Sequence, residues 1–562
     1  MNWCEKKGVL SEEQAGFRPG RSTIDHIFSV SEVLRLRRGQ RKETHCAVLD
    51  IQKAYDKVHR DGLWKRLLEV GIRGKFWRVL KNLYEVVQSC VLVGSQKSEW
   101  FEVEAGVRQG CILSPILFAI WIDGLAKALK KAKVKSVLNN VKFNFTFFAD
   151  DLALLADSRE DLQTLLDTAF KYSECWRFKW NVAKSKVMRF GPRKGKKKQV
   201  HFLGVQELEI VKIFKFLGVD LQQNLAWTST KRRFAAKARS RLPMIYKATF
   251  EGLSVDSGEK LWQSLIRPTL EYGAEVWGGG DWPEAEKIQN AAGRMLLGLY
   301  RATAVEVARG ELGWLSLRAR REIRQLRYWG KLVKMEDSRL VKQIYKQCKE
   351  RTGYQKRSFC YSIQTLLNKF DLGHLWKSEL IGELNDWEAR IQACVRQYDQ
   401  DIWASAVQMK PKLRTYKMLK AGVRREEYLS WEITDEQRVL YARLRSGSHQ
   451  LRIERGRWEH EVEAERLCLV CGTGVIENER HFLLECFVFE RPRCNMYRRI
   501  KQETGYDLVS MKESEDSNWL LQVLLGNVLP GREIRHCVGK AVAAFVAVAM
   551  RKRTRSLQSE KK

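Results

Sequence analysis

No stretch of this 562-residue chain is apolar for long enough to cross a bilayer. The nearest candidate, Ala541 to Met550, lies between Lys540 and Arg551 and reads as a buried helix. The start lacks the apolar core of a secretory signal, because Glu5, Lys6 and Lys7 interrupt its first ten residues. The 13 cysteines are odd in number and mostly scattered (Cys4, Cys46, Cys90, Cys111, Cys175), which is no disulfide framework and fits reduced intracellular thiols. No segment repeats at a fixed period. These absences exclude membrane-spanning, secreted, disulfide-stapled and solenoid classes, and leave a protein of the nucleus or cytoplasm.

Acid is also scarce. Asp and Glu number 67 against 101 Lys and Arg, a formal net charge of +34 with pI near 9.7, and such a surface suits a polyanion, nucleic acid first. With 44% hydrophobic and 30% charged residues the composition is globular, and the length calls for several domains.

Helical spacing runs from Ile24 to Arg38, and the apolar Cys46-Ala47-Val48-Leu49 ends at Asp50. A helical pattern through Leu63, Leu67, Leu68, Phe76, Leu80 and Tyr84 follows. Phe143 to Phe148 and Leu152 to Ala156 read as two strands of a hairpin with Asp150-Asp151 at its tip. Asp161 to Trp176 reads as helix, Lys186 to Phe190 as strand and Ile213 to Val219 as one more short strand. The order predicts an α/β layer up to about Val219, then helices through Thr230 to Lys334. The basic run Pro192 to Lys198 reads as a solvated loop, with phosphate contact as the alternative. Carboxylates on separate strand ends are what two-metal chemistry needs, and Asp50 with Asp150 and Asp151 could supply them, although an Asp-Asp turn taken alone is a common surface feature.

Gly16-Phe17-Arg18-Pro19-Gly20-Arg21-Ser22-Thr23, Leu49 to Val58, Gly106-Val107-Arg108-Gln109-Gly110-Cys111-Ile112-Leu113-Ser114-Pro115 and Phe148-Ala149-Asp150-Asp151 resemble successive reverse transcriptase motifs, in that family's order. Asn181, Lys184 and Lys186, then Phe216-Leu217-Gly218, resemble the two that come next. The segments Ile266 to Trp277 and Ile288 to Ala292 are similar to the region downstream of non-LTR, or LINE-type, retrotransposon polymerases. The resemblance implies that Asp50 and Asp150 ligate two Mg²⁺ (or Mn²⁺) ions, with Asp151 beside them. It implies that Tyr55 is the aromatic gate against the ribose 2′ hydroxyl, unless it is a core ring. It further implies that Gln109 and Gly110 line the incoming base pair, with Pro115 starting a helix. Arg18 and Arg21 then contact triphosphate or template phosphate, or else are structural arginines, and Lys184 or Lys186 meets the leaving group. Many relatives have Tyr where Phe148 stands and Phe where Tyr55 stands.

Lys231, Arg232, Arg233, Lys237, Arg239 and Arg241 line a helix with Phe234, Ala238 and Leu242 on its apolar side, either a duplex-tracking face or solvated surface. Cys468, Cys471, His481 and Cys486 make a Cys-x2-Cys…His-x4-Cys set suited to one structural Zn²⁺, with Phe482, Leu483 and Leu484 packing beside it and Cys494 farther off. The set resembles the C-terminal cysteine-histidine motif of non-LTR elements. The expected architecture is an α/β right-hand palm with partial fingers over residues 1–220 and a helical thumb with downstream segment over 221–335. A helical linker over 336–445 and a zinc-bearing C-terminal region over 446–562 complete it. The implied activity is RNA-directed DNA synthesis primed at a target, with an RNA template, a DNA primer or target and deoxynucleoside triphosphates as partners. The chain opens just ahead of the glycine-arginine motif, so the first fingers motifs and an endonuclease are expected to be missing. A catalytically inactive nucleic-acid-binding remnant and a group II intron-like maturase remain alternatives.

Overall fold

Six consecutive buried residues, Thr44–Leu49 (β1), form a strand covered on both faces, as a central strand requires. The computed structural model, which describes residues 1–138, 141–192, 200–351, 357–514, 517–526 and 528–559, places β1 at the middle of a mixed five-stranded sheet. The others are Phe145–Phe148 (β2), Asp151–Ala156 (β3), Lys186–Phe190 (β4) and Glu209–Ile210 (β5), in the spatial order β5-β4-β1-β3-β2. β1 pairs antiparallel with both neighbours, Leu49 opposite Leu152 and Val48 opposite Lys186. That register carries Asp50, the next residue of the chain, to the level of Asp151. Arg193 to Lys198, the basic run read from the sequence, lies outside the described residues.

The chain divides into two units. The first comprises residues 1–231, 273–279 and 324–387, the second 232–272, 280–323 and 388–562. In the first, helices Thr23–Gly39 (α1), Arg60–Glu69 (α2), Ser114–Lys131 (α3) and Arg159–Cys175 (α4) accompany the sheet. α1 starts at a capping box in which Ser22 and Asp25 satisfy each other's backbone N–H groups, and Ser158 caps α4 by accepting from Asp161 N. Pro115 stands in the first turn of α3, where its missing N–H costs nothing. α3 packs against α2 and α4, and its Phe118, Trp121 and Leu125 share one buried cluster with Ala47, Leu49, Leu152 and Leu154 of the sheet. Trp121 is fully buried, and its truncation to alanine is worth roughly 3–5 kcal/mol.

Three expectations need correction. The periodic run from Leu63 to Leu80 falls on two helices, α2 and Gly74–Asn82, separated at Val70 to Arg73, and Tyr84 lies beyond the second. Ile213 to Val219 is not one strand: a Leu217-Gly218 turn makes an antiparallel hairpin of Ile213–Phe216 and Val219–Gln222. The basic helix ends at Arg239, so Leu242 opens the following helix, Leu242–Phe250 (α5).

The second unit is helical, with single β-bridges as its only strand pairing among the described residues. Pro283–Leu296 (α6), Asp435–Arg445 (α7), Glu490–Thr504 (α8) and Arg532–Ser559 (α9) carry most of its packing, with α9 laid against α7 and α8. Ala541 to Met550 sits inside α9 and is mostly buried, and no helix among the described residues is long and apolar enough to cross a membrane. Gly539 fits because Trp431 lies where a Cβ would stand. A buried ionic network ties the unit: Arg445 donates to Glu311 (3.2 Å) and to Glu426 (2.9 Å), and Lys420 also pairs with Glu426. Removing one partner would leave an uncompensated buried charge, a loss of roughly 3–5 kcal/mol.

Candidate functional site

Asp50, Asp150 and Asp151 come together at one end of the sheet, Asp50 following β1 and the pair at the β2–β3 turn. Burial raises the Asp150 carboxyl above its ordinary range, and the Asp50 charge raises it further. Burial, then the charges of Asp150 and Asp50, push Asp151 from 3.8 to about 6. Burial and like charge together raise the carboxyls of Asp150 and Asp151, which marks a place where positive charge is missing. One lysine partly supplies it: Lys184 Nζ lies 3.7 Å from Asp50 Oδ2 and is well exposed. Lys215, on the following hairpin, also lowers the pKa of Asp151, a contribution the sequence motifs did not single out. Lys186 turns elsewhere, donating to Glu209 on the neighbouring strand at 2.8 Å. Of the two lysines, only Lys184 faces the carboxylates.

The turn is held by a side chain the motifs missed. Ala149 has φ +58°, an unfavourable conformation for a residue with a Cβ. Gln14 Oε1 accepts from Ala149 N (3.2 Å) and from Gly16 N (2.8 Å), while Ala15 N donates to Phe147 O and Phe147 N to Glu13 O. The segment 13–16 thus runs along the outer edge of β2 and clamps its end. Gly16 approaches so closely that a Cβ would stand 2.3 Å from Ala149 N. Gln14 is fully buried and precedes the first motif by two residues, so only its place beside that motif could have drawn attention to it.

Arg18 and Arg21 are engaged within the chain. The Arg18 guanidinium is buried, donating to both Glu5 oxygens (2.7 and 2.8 Å) and to the Ser11 and Gln14 carbonyls (2.6 and 2.8 Å). Arg21 pairs with Glu12 at 2.6 Å. These contacts hold the loop ahead of α1.

Tyr55 is half-buried and stacks on Phe118 with ring centres 5.1 Å apart, and burial followed by the Asp150 charge raises its phenol pKa. Its ring is therefore both packed on the core and near the carboxylates. The 105–110 segment is fastened to the turn that carries Tyr55: Val107 N donates to Tyr55 O and Gly106 N to Val58 O. Gly106 has φ +88° and no room for a Cβ, which would lie 2.8 Å from Tyr55 O. Gln109 Nε2 donates to Asp56 Oδ1 at 2.8 Å, and Gly110 faces open space.

In the second unit, one nitrogen or sulfur atom from each of Cys468, Cys471, His481 and Cys486 lies within 4.8 Å of the others. Three of the four side chains are buried. His481 Nε2 faces Cys471 Sγ at 3.5 Å, while its Nδ1 is buried without a hydrogen-bond partner, 3.7 Å from Glu485. Burial pushes the Cys468 thiol up to about 12 and raises Cys486 as well. For Cys471 burial acts in the same sense, but hydrogen bonds from Thr473 and the neighbouring thiols outweigh it and lower the thiol. Four gathered soft donors fit a tetrahedral metal better than a hydrogen-bonded cluster. Phe482, Leu483 and Leu484 are buried beside the set, and Arg493 donates to the carbonyls of Leu483 and Cys486. Cys494 is exposed and outside it.

Residues 2–207 match the family model described as reverse transcriptase (RNA-dependent DNA polymerase). The chain is 24% identical over 52% of its length to the "Probable RNA-directed DNA polymerase from transposon X-element" of Drosophila melanogaster, spanning 33% of that protein. It is 27% identical over 48% of its length to the RNA-directed DNA polymerase from mobile element jockey of the same organism, spanning 30% of it. To the retrovirus-related Pol polyprotein from type-1 retrotransposable element R2 of Popillia japonica it is 24% identical over 64% of its length, spanning 60% of that protein. The chain thus covers less than two thirds of each of these relatives. A solved telomerase from Candida albicans, in complex with a TWJ fragment of telomeric RNA, aligns over 72% of this chain and 53% of that chain. Its TM-score is 0.31 and its identity 12%, a likeness too distant to carry an argument.

Proposed function

We propose that residues 2–207, which match the reverse transcriptase family model, are a polymerase domain of the non-LTR retrotransposon kind, and that the chain copies RNA into DNA, extending a DNA 3′ end on an RNA template. The observation that carries the proposal is the meeting of Asp50, Asp150 and Asp151 at one sheet end, inside the matched domain. The five-stranded sheet is the palm, residues 1–220 hold it with the fingers, and the thumb is drawn from the helices of 221–335.

Asp50 and Asp150 hold the Mg²⁺ or Mn²⁺ ions, with Asp151 lending charge from the adjoining position. Bound there, such ions would lower the pKa of the primer hydroxyl and offset charge on the leaving pyrophosphate. The chain's own residues do the rest. Tyr55, braced on Phe118, borders the site and would crowd a ribose 2′ hydroxyl, which favours deoxynucleotides. Lys184 is placed to neutralise or protonate the leaving group, a role Lys186 cannot share while it pairs with Glu209. Gln109 and Gly110 line the incoming base pair from the segment fastened beneath Tyr55. Arg18 and Arg21 act as scaffold. Cys468, Cys471, His481 and Cys486 hold one Zn²⁺ that fixes the local fold of the second unit.

Primer extension on poly(rA)/oligo(dT) with Mg²⁺ or Mn²⁺, comparing the chain with an Asp150→Ala, Asp151→Ala double variant, tests the proposal. Extension by the parent that vanishes in the variant supports it. No extension by a folded, duplex-binding parent overturns it in favour of an inactive nucleic-acid-binding remnant.

A further inference from the structure

Within the second unit, α5, α6, the turn from Gly298 to Val305 and α7 border a half-open cavity of about 860 Å³. Its floor is apolar, built by Met295, Leu296, Leu299 and Val439, and Tyr246 at its wall is 59% exposed. Lys287, Arg294, Arg301, Arg438 and Arg443 line it against one carboxylate, Asp435.

These cations are not equally engaged. Arg443 donates to Gly298 O (2.8 Å) and to the Tyr300 hydroxyl (3.0 Å), stacking over that ring at 4.1 Å, so it shapes the wall. Arg294 donates through Nη2 to Thr303 O and Arg438 pairs with Asp435, yet the Nε atoms of both are buried without a partner. Lys287 and Arg301 are exposed, and no carboxylate pairs with either among the described residues. Two exposed cations without a carboxylate partner, beside two buried guanidinium Nε atoms without an acceptor, leave this wall able to take an anion.

The combination narrows the ligand. An inorganic anion has no use for the apolar floor, and an apolar ligand has none for the cations. A nucleotide presents both a flat ring system and a phosphate, and about 860 Å³ lies within the ~300–1,000 Å³ range of small-ligand sites. We infer that this cavity binds a nucleotide moiety, its base against Met295 and Leu299 beside Tyr246, its phosphate on Lys287, Arg301 and Arg438. Aromatic side chains with basic rims are how proteins hold single strands without reading sequence. The source is a single-stranded nucleic acid or a free nucleotide, which share this chemistry. The cavity lies wholly within the second unit, largely on helices read above as thumb, so the inference rests on that reading, while its crosslink readout is independent of the carboxylates, which belong to the first unit.

Photo-crosslinking on the full chain tests it. An eight-nucleotide single-stranded RNA carrying 4-thiouridine is irradiated with the protein and the modified peptides are mapped. Crosslinks are expected within 242–250 or 283–305. They should fall by about fivefold or more in a Lys287→Ala, Arg301→Ala variant while crosslinks elsewhere are unchanged, since removing a cation that neutralises a phosphate weakens strand binding. Competition by excess ATP or dTTP assigns the site to free nucleotides, and its failure assigns it to a strand. A Tyr246→Ser variant with an unshifted melting curve should lower the same crosslinks, which separates lost binding from lost fold. Absence of crosslinks there, equal yields in the variants, or displacement by poly-glutamate but by neither nucleotide nor oligonucleotide would overturn the inference, the last in favour of an acidic peptide.

Discussion

On the proposed reading, the carboxylate site of the first unit and the cysteine-histidine site of the second are opposite solutions to holding a cation. Three acids stand at the open end of a sheet, with burial and like charge raising the carboxyls of Asp150 and Asp151 and an exposed lysine close to Asp50. The sulfur and nitrogen donors are mostly buried and already lie within 4.8 Å of one another. An open cluster of like charges suits ions that arrive and leave with substrate. A closed set of four donors leaves no coordination position for substrate and suits an ion that holds the chain together. Rigidity is spent differently too: the first site is fixed by strand register and by Gln14, the second by the ligands themselves.

The contrast can be broken most severely at Asp50. On the proposed reading, Asp50→Ala lowers primer extension by about three orders of magnitude or more in a steady-state assay, with melting temperature unchanged or slightly raised by relief of repulsion. His481→Ala should do the reverse. Bound zinc, counted by elemental analysis, falls from one per chain to none. The melting temperature drops by roughly 10 °C, taking a few kcal/mol at ~2–4 °C each. Lys184→Ala sharpens the account of the open site: extension slows by roughly a hundredfold, as removal of a positioned acid does, whereas Lys186→Ala stays within about twofold. Gln14→Ala leaves two backbone N–H groups unsatisfied and costs about 1–3 kcal/mol, visible in urea unfolding as a lower midpoint.

The smallest effect is one of pH. Asp151 titrates near 6 in the folded chain against 3.8 ordinarily, so the fold favours its protonated form. Its contribution to stability is present below about 4 and lost as pH rises through about 6 in metal-free protein. Thermal melts between these values should show that decline, and added Mg²⁺ should cancel it at the upper end while extension falls off below about pH 6.

The sheet was legible because its strands are short, largely apolar runs bounded by charge or glycine: Cys46 to Leu49 and Lys186 to Phe190 stand where the pattern puts them. Boundaries failed where turns cut a continuous apolar pattern, as at Leu217-Gly218 and between Glu69 and Gly74, because apolar periodicity does not register a change of direction. The approach of Asp50 to Asp151 follows from strand register, which only pairing partners determine. The opposite outcomes for Lys184 and Lys186 have the same origin, since the strand beginning at Lys186 turns that side chain toward Glu209. The buried roles of Gln14 and Arg18 depend on contacts with residues distant in sequence or on a preceding loop, and no local spacing encodes them.

Dialysis of the full chain against a chelator, followed by elemental analysis and primer extension, tests the central contrast most directly. The account predicts that one zinc per chain survives, no magnesium does, and Mg²⁺ alone restores extension. Loss of zinc from a chain that stays folded, or extension that Mg²⁺ cannot restore while zinc is retained, would contradict it.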